Sequence, residues 1–294
     1  MGSALVEKII ESGGRVTALV RKNSSNISRL LKHERLVVVE GDLNEISSCR
    51  NALAKHEPGL FFHFAWEGVG NSDRNNPAQV NNINTTLETI RLAREIGCSR
   101  WIGAGSQAEY GPLNKRITEN DPLKPTTLYG AAKASACLLA QVTGEQLGIE
   151  TVWCRIFSTY GPGDNSGWML IDVIRQLLIS QKPALTRGEQ LWDYLYVDDA
   201  AEAFMAMGTA HRLSGTYNVG SGSSRTIREI VEIARDLINP ELPLGFGEIP
   251  YRPDQVMHLE ADIGKLTRDI GWQPIVSLEK GIGVLVSSVK AGLK

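Results

Sequence analysis

Cysteine is scarce in this chain: four thiols in 294 residues, at Cys49, Cys98, Cys137 and Cys154, with no Cys-x-x-Cys pair. That scatter supplies neither a disulfide framework nor a zinc ribbon, and it fits reduced core thiols in a cytoplasmic protein. Histidine is also sparse, five in all and without metal-ligand spacing, so no metal is expected. No apolar run reaches ~18 residues, which argues against a membrane-spanning helix. The opening Met1-Gly2-Ser3-Ala4-Leu5-Val6 lacks a signal-peptide layout and lacks a hydroxyl at position 6 for myristoylation. Charge is nearly balanced at a net −2, with no basic run, so nucleic acid is not an expected partner. Repeats and low-complexity tracts are also missing. What is present is a 42% hydrophobic composition, enough for a large core in one or two domains.

From the amino end, helix-like and strand-like segments alternate. Leu5 to Ser12 reads as a helix stopped by Gly13-Gly14. Strands are expected at Arg15 to Val20, Leu36 to Val39, the very apolar Leu60 to Ala65, Trp101 to Gly105 and Thr151 to Ile156. Helices are expected at Ala78 to Ile96 and Ala131 to Leu147, ended by Gly97 and Gly148. Such alternation implies an α/β fold with a parallel sheet and helices on both faces. Continuous apolar strands suit a sheet buried on both sides. After Tyr160 come the loop Gly161-Pro162-Gly163-Asp164-Asn165, a helix over Ile171 to Ser180, a turn at Pro183 and the segment Gln190 to Asp199. Residues 1–160 plus about 190–222 are therefore read as one α/β domain, and about 161–189 plus 223–294 as a smaller, discontinuous α/β lobe.

The chemistry-bearing pattern is a serine followed by Tyr-x-x-x-Lys. Ser106 closes the apolar run Trp101-Ile102-Gly103-Ala104-Gly105; Tyr129 and Lys133 open an Ala-rich stretch. Residues four apart share a helix face, so the ammonium can stand near the phenol and favour its anion. An unperturbed phenol titrates near pH ~10, and a neighbouring cation brings it toward working pH as a general acid/base for an alcohol and a ketone. Composition alone gives roughly 0.3 expected Tyr-x-x-x-Lys matches, so the context of strand-end Ser and helix start carries the weight. With that context the chain resembles the extended short-chain dehydrogenase/reductase family, in its branch of NAD-dependent epimerases/dehydratases acting on nucleotide sugars. The resemblance runs from Gly2 to about Leu285.

The resemblance implies that the larger domain is an NAD(P)-binding, Rossmann-like doubly wound sheet and that the smaller one is the substrate lobe. That fold opens on a strand and Gly-x-x-Gly-x-x-Gly leading into a helix, where backbone N–H groups meet the pyrophosphate. Gly2-Ser3-Ala4-Leu5-Val6-Glu7 resembles the third glycine and that helix, so the first strand is expected to be missing and the amino terminus shortened; Met-Gly-Ser also reads as a vector scar. Gly2 stays a cofactor candidate. After the second strand, Arg21-Lys22-Asn23-Ser24-Ser25 offers cations and hydroxyls and no acid. Arg21 would welcome a 2′-phosphate, which favours NADP(H) over NAD(H). Asp42 and Leu43 match a motif whose carboxylate contacts adenine, although a turn Asp reads equally well. Ala65 matches a small residue lining the cofactor, Trp66 is unusual beside it and points to the substrate pocket, and Asn82 matches an asparagine near the active site. Arg155 reads as structural.

The resemblance also implies a nucleotide-sugar substrate. Ser158 stands where an asparagine is usual, and Trp192 where an Arg is commoner; Gln107, Gln190 and Arg252 complete the substrate candidates, with Arg252 suited to clamping a diphosphate. Ser106 would hydrogen-bond the sugar oxygen, Tyr129 would exchange the proton, and Lys133 would bind the nicotinamide ribose. Dehydratases of this kind carry an acid and base just after the catalytic Ser/Thr; Gln107-Ala108 supplies neither, so a dehydratase is disfavoured. Reduction of a 4-keto-6-deoxy sugar at C4 is the preferred reading and 4-epimerisation the alternative. A non-catalytic cofactor-binding regulator is remote, because both Tyr129 and Lys133 are present. A homodimer pairing the helices at Ala78 to Ile96 and Ala131 to Leu147 is expected.

Overall fold

The computed structural model describes residues 1–164 and 167–293. Asn165, the last residue of the loop read after Tyr160, lies outside the described residues. The chain opens with α1 (Gly2–Glu11), β1 (Val16–Val20), β2 (Leu36–Glu40), α2 (Arg50–Ala54), β3 (Leu60–His63) and α3 (Asn81–Glu95). There follow β4 (Arg100–Ser106), β5 (Lys115–Ile117), α4 (Leu128–Leu147), β6 (Glu150–Ile156), β7 (Ser158–Tyr160) and α5 (Met169–Leu178). The rest comprises β8 (Ala184–Leu185), β9 (Leu191–Trp192), β10 (Tyr194–Tyr196), α6 (Val197–Thr209), β11 (Gly215–Val219), β12 (Arg225–Thr226), α7 (Ile227–Ile238), β13 (Gly245–Phe246), β14 (His258–Ala261), α8 (Gly264–Ile270) and α9 (Leu278–Gly292).

β11, β6, β4 and β3 form a parallel sheet in that order, with Ser106 opposite Ile156. β4 and β6 are its middle, and their Ile102, Val152, Trp153 and Cys154 are fully buried, as continuous apolar strands demand. Helices pack against this sheet because their apolar stripes have nowhere else to go. Phe204 and Met207 of α6 join Ile102, Val152 and Cys154 in one core, while Ile90 of α3 and Cys137 and Ala140 of α4 join Trp101 and Trp153 in another. A separate core gathers Ile174, Ile230 and Leu285 from α5, α7 and α9.

β1 and β2 form their own parallel pair. They are not buried on both sides: β1 is half-buried along its length, and Val37 and Val38 of β2 are exposed. The reason is local. A cavity of about 1120 Å³ is lined by Val16 to Val20 on one side and Leu60 to His63 on the other, and Val37 of β2 also lines it, so β1 is left uncovered there.

Helix limits follow the local chemistry. Thr127 caps α4 by accepting from the Gly130 N–H at 3.1 Å, so the helix starts at Leu128, three residues before the expected Ala131, and Gly148 ends it in the left-handed conformation. The helix expected from Ala78 is split. Asn76 caps a short 3₁₀ turn over Pro77–Val80, and α3 begins only at Asn81. Among the described residues no helix is long and apolar enough to cross a membrane.

Candidate active site

The parallel strands β3, β4 and β6 all end at one edge of the sheet, where open α/β folds build their sites. Ser106 is the last residue of β4 and caps the turn that follows: its Oγ accepts from the Ala108 N–H at 3.2 Å. Glu109 reaches back to the Ser106 N–H at 2.8 Å, closing a capping box. Its carboxylate also accepts from Trp153 Nε1 at 2.9 Å and Arg155 Nε at 2.8 Å, with no exposure to solvent. Glu109 is thus a fixed internal counter-charge for Arg155, and the structural reading of Arg155 holds.

The first turn of α4 is held hard against this turn. A Cβ on Gly130 would lie 2.4 Å from the Ala108 carbonyl oxygen, so only glycine lets Tyr129 approach so closely. Tyr129 is buried, and burial pushes its phenol up; a hydrogen bond with Ser106 and the nearby Arg74 guanidinium oppose that push. Arg74 carries two links to the tyrosine. Its Cζ lies 5.3 Å from the ring centroid, and its carbonyl accepts from the Tyr129 N–H at 2.8 Å. Its Nε is buried with no hydrogen-bond partner.

Lys133, one turn further along α4, differs from the expected arrangement. Its Nζ donates to the Ala104 carbonyl at 2.6 Å and lies 3.6 Å from the Trp66 ring centroid, against 6.0 Å from the Tyr129 ring. The Arg74 guanidinium is a second cation beside Tyr129 and lowers its phenol. Burial pushes the Lys133 ammonium down to about 7. Beside it, buried His63 is pushed down to about 3 by burial and by Lys133, so it stays neutral.

Trp66 stands edge-on to Tyr129, with ring centroids 6.2 Å apart. Its Nε1 donates to Gln79 Oε1 at 2.8 Å, and Gln79 Nε2 donates to the Gly68 and Asp73 carbonyls. Asn82 grips the next residue from both sides: the Glu67 N–H donates to its Oδ1 at 2.8 Å, and its Nδ2 donates to the Glu67 carbonyl at 3.1 Å. Arg74 and Gln79 escape sequence reasoning, because a lone Arg and a lone Gln in a polar loop carry no local pattern. The Ser106–Glu109 box was open to it through its Ser-x-x-Glu spacing.

Of the cofactor candidates, Gly2, Arg21 and Ala65 leave room for a nicotinamide dinucleotide. Gly2 begins α1, whose amino end has no side-chain cap, and an added Cβ there would meet only Phe64, at 4.0 Å. Such an end can receive a pyrophosphate. Arg21 is exposed just past β1, and Ala65 is exposed just past β3. Asp42 instead serves its turn, accepting from the Asn44 N–H at 2.8 Å, while Leu43 packs against the core around Trp101.

The substrate candidates divide. Gln107 lies in the turn after Ser106. Ser158 and Trp192 are brought together, with Trp192 Nε1 donating to Ser158 Oγ at 2.7 Å. Gln190 is buried and its amide bonds Thr186 Oγ1 at 3.2 Å. The Arg252 side chain is 76% exposed, with Asp254 4.0 Å away.

The NAD dependent epimerase/dehydratase family matches residues 1–220, three-quarters of the sequence. The chain belongs to that family. Its cofactor is accordingly a nicotinamide dinucleotide. This family member is 25% identical over 312 residues to a dTDP-glucose 4,6-dehydratase of Xanthomonas campestris, covering 97% of this chain and 89% of the relative. It is 26% identical over 300 residues to a UDP-glucuronic acid decarboxylase of Arabidopsis thaliana, covering 97% and 84%. Its fold matches the solved UDP-N-acetylglucosamine 4-epimerase of Methanobrevibacter ruminantium at a TM-score of 0.89 and 25% identity, over 99% and 95% of the two chains. These likenesses overturn one expectation. Gln107 and Ala108 do not disfavour a dehydratase, since the likeness to 4,6-dehydratases spans nearly the whole chain. The physical reason is that a proton-transferring group need only reach the site, and two sequence positions do not exhaust the elements around it.

Proposed function

We propose that the protein interconverts an alcohol and a ketone at C4 of the sugar in a nucleotide sugar. The carrying observation is the meeting of Ser106, at the end of β4, with Tyr129, at the start of α4, with Lys133 buried one turn behind. Tyr129 takes the hydroxyl proton as the ketone forms and returns it when the ketone is reduced. Ser106 holds the reacting oxygen. Lys133 and Gly2 would hold the dinucleotide, and Arg21 supports acceptance of a 2′-phosphate. When bound, that group supplies the site for the departing and returning hydride.

A C4 ketone is the one species from which the chemistry in all three relatives' names follows. It acidifies the neighbouring C5 proton and so opens loss of water across C5 and C6. It makes a C5 carboxylate a β-keto acid, which sheds carbon dioxide. It can be reduced from either face. Reduction of a 4-keto-6-deoxy sugar is the same step run in one direction.

The test is product analysis by proton NMR, with dTDP- and UDP-linked sugars and both phosphorylated and unphosphorylated cofactor, following reduced-nicotinamide absorbance. A C4-altered or C4-derived product is expected, and Tyr129→Phe should lose turnover by roughly 10²-fold or more while keeping cofactor binding. Chemistry confined to another carbon would reject the proposal.

We also infer a homodimer through α3 and α4. Leu138 and Val142 of α4 are 62% and 52% exposed and lie one turn apart, an apolar stripe of the kind that pairs helices. Light scattering should give twice the chain mass, and Val142→Glu should shift it to the monomer.

A further inference from the structure

We propose that Trp66 is a positioning residue for Lys133, its indole face holding the lysine ammonium in the place of a directly bonded carboxylate. The inference rests on the reading of Lys133 as part of the redox site.

A buried ammonium needs compensation, and lysine is rarely buried without a partner. Lys133 is 3% exposed, and it donates to one uncharged carbonyl, that of Ala104. On the turn after β4, the Glu109 charge favours the ammonium, but its two oxygens are bonded to Ser106, Trp153 and Arg155 and give Lys133 no direct bond. On β6, Arg155 is bound to that carboxylate. On β3, His63 is held neutral. On α4 itself, the Tyr129 phenol is kept protonated by burial. The Trp153 ring is 5.8 Å away and the Trp66 ring 3.6 Å. A cation at that distance from an indole face is attracted by the ring quadrupole, more strongly where water is excluded.

The indole is also anchored, as a positioning group must be. Its N–H is bound to Gln79, which is 2% exposed and itself tied to the Gly68 and Asp73 carbonyls. One residue on, Asn82 pins the Glu67 backbone. The ring therefore cannot swing off the lysine without breaking its bond to Gln79.

NMR of the protein carrying [ε-¹³C]lysine tests this without turnover. The Lys133 signal is assigned with Lys133→Met and titrated across neutral pH. In Trp66→Leu its midpoint should fall by roughly half to one and a half pH units, while Trp66→Phe, which keeps a ring face, should restore most of the difference. In the unaltered protein the Trp66 indole ¹⁵N–¹H signal should move with the Lys133 midpoint, and Lys133→Met should abolish that movement. A Lys133 midpoint unchanged in Trp66→Leu would overturn the proposal. Should that variant fail to fold, an indole signal that ignores the Lys133 titration overturns it as well. A protein without turnover whose indole and lysine still titrate together would reject the redox reading and keep the role of Trp66.

Discussion

Tyr129 sits where burial works against its ionisation, so the groups that oppose burial decide the pH at which it can act as a base. Arg74 is one of them, 5.3 Å over the ring. Removing its charge in Arg74→Met leaves the burial effect less opposed and raises the phenol further. The acid-side limb of the pH–rate profile should then move to higher pH, and Arg74→Lys should recover part of the shift. An unmoved limb would show that Arg74 does not act on the phenol. The unpartnered Nε of Arg74 adds a second expectation: a substrate oxygen that satisfies it would make KM rise in the methionine variant.

At the scale of elements, the buried Glu109–Arg155 pair ties the turn after β4 to β6, and Gly130 lets the start of α4 close against that turn. Removing one partner of such a pair leaves an uncompensated buried charge, which costs about 3–5 kcal/mol. Arg155→Met should therefore lose about that much stability in denaturant unfolding, and Arg155→Met with Glu109→Gln should lose less. Equal losses in both would mean the pair is not the source. Much of this arrangement was legible in the sequence. The Tyr-x-x-x-Lys spacing, the strand-end Ser106 and the Ser-x-x-Glu box are all local patterns, and local patterns survive being read one segment at a time. Short strands were not: β9 pairs with β14, nearly seventy residues away, through two residues, and no periodicity shows in so short a piece. The position of Lys133 was also illegible. Its four-residue spacing from Tyr129 says that the two can meet, but Trp66, arriving from the end of β3, draws the ammonium to its own face.

For the whole molecule, the sheet gathers at its carboxyl edge the ends of β3, β4 and β6 and the start of α4, so that residues 66, 74, 106, 129 and 133 meet although the chain separates them widely. The most direct measurement uses a nucleotide sugar carrying deuterium at C4. If hydride leaves C4 while Tyr129 takes the hydroxyl proton, turnover of a substrate of this protein should slow with the labelled sugar, and Tyr129→Phe should lose turnover on both labelled and unlabelled sugar. Full turnover in Tyr129→Phe, or product formed with the C4 deuterium never detached, would contradict oxidation at C4.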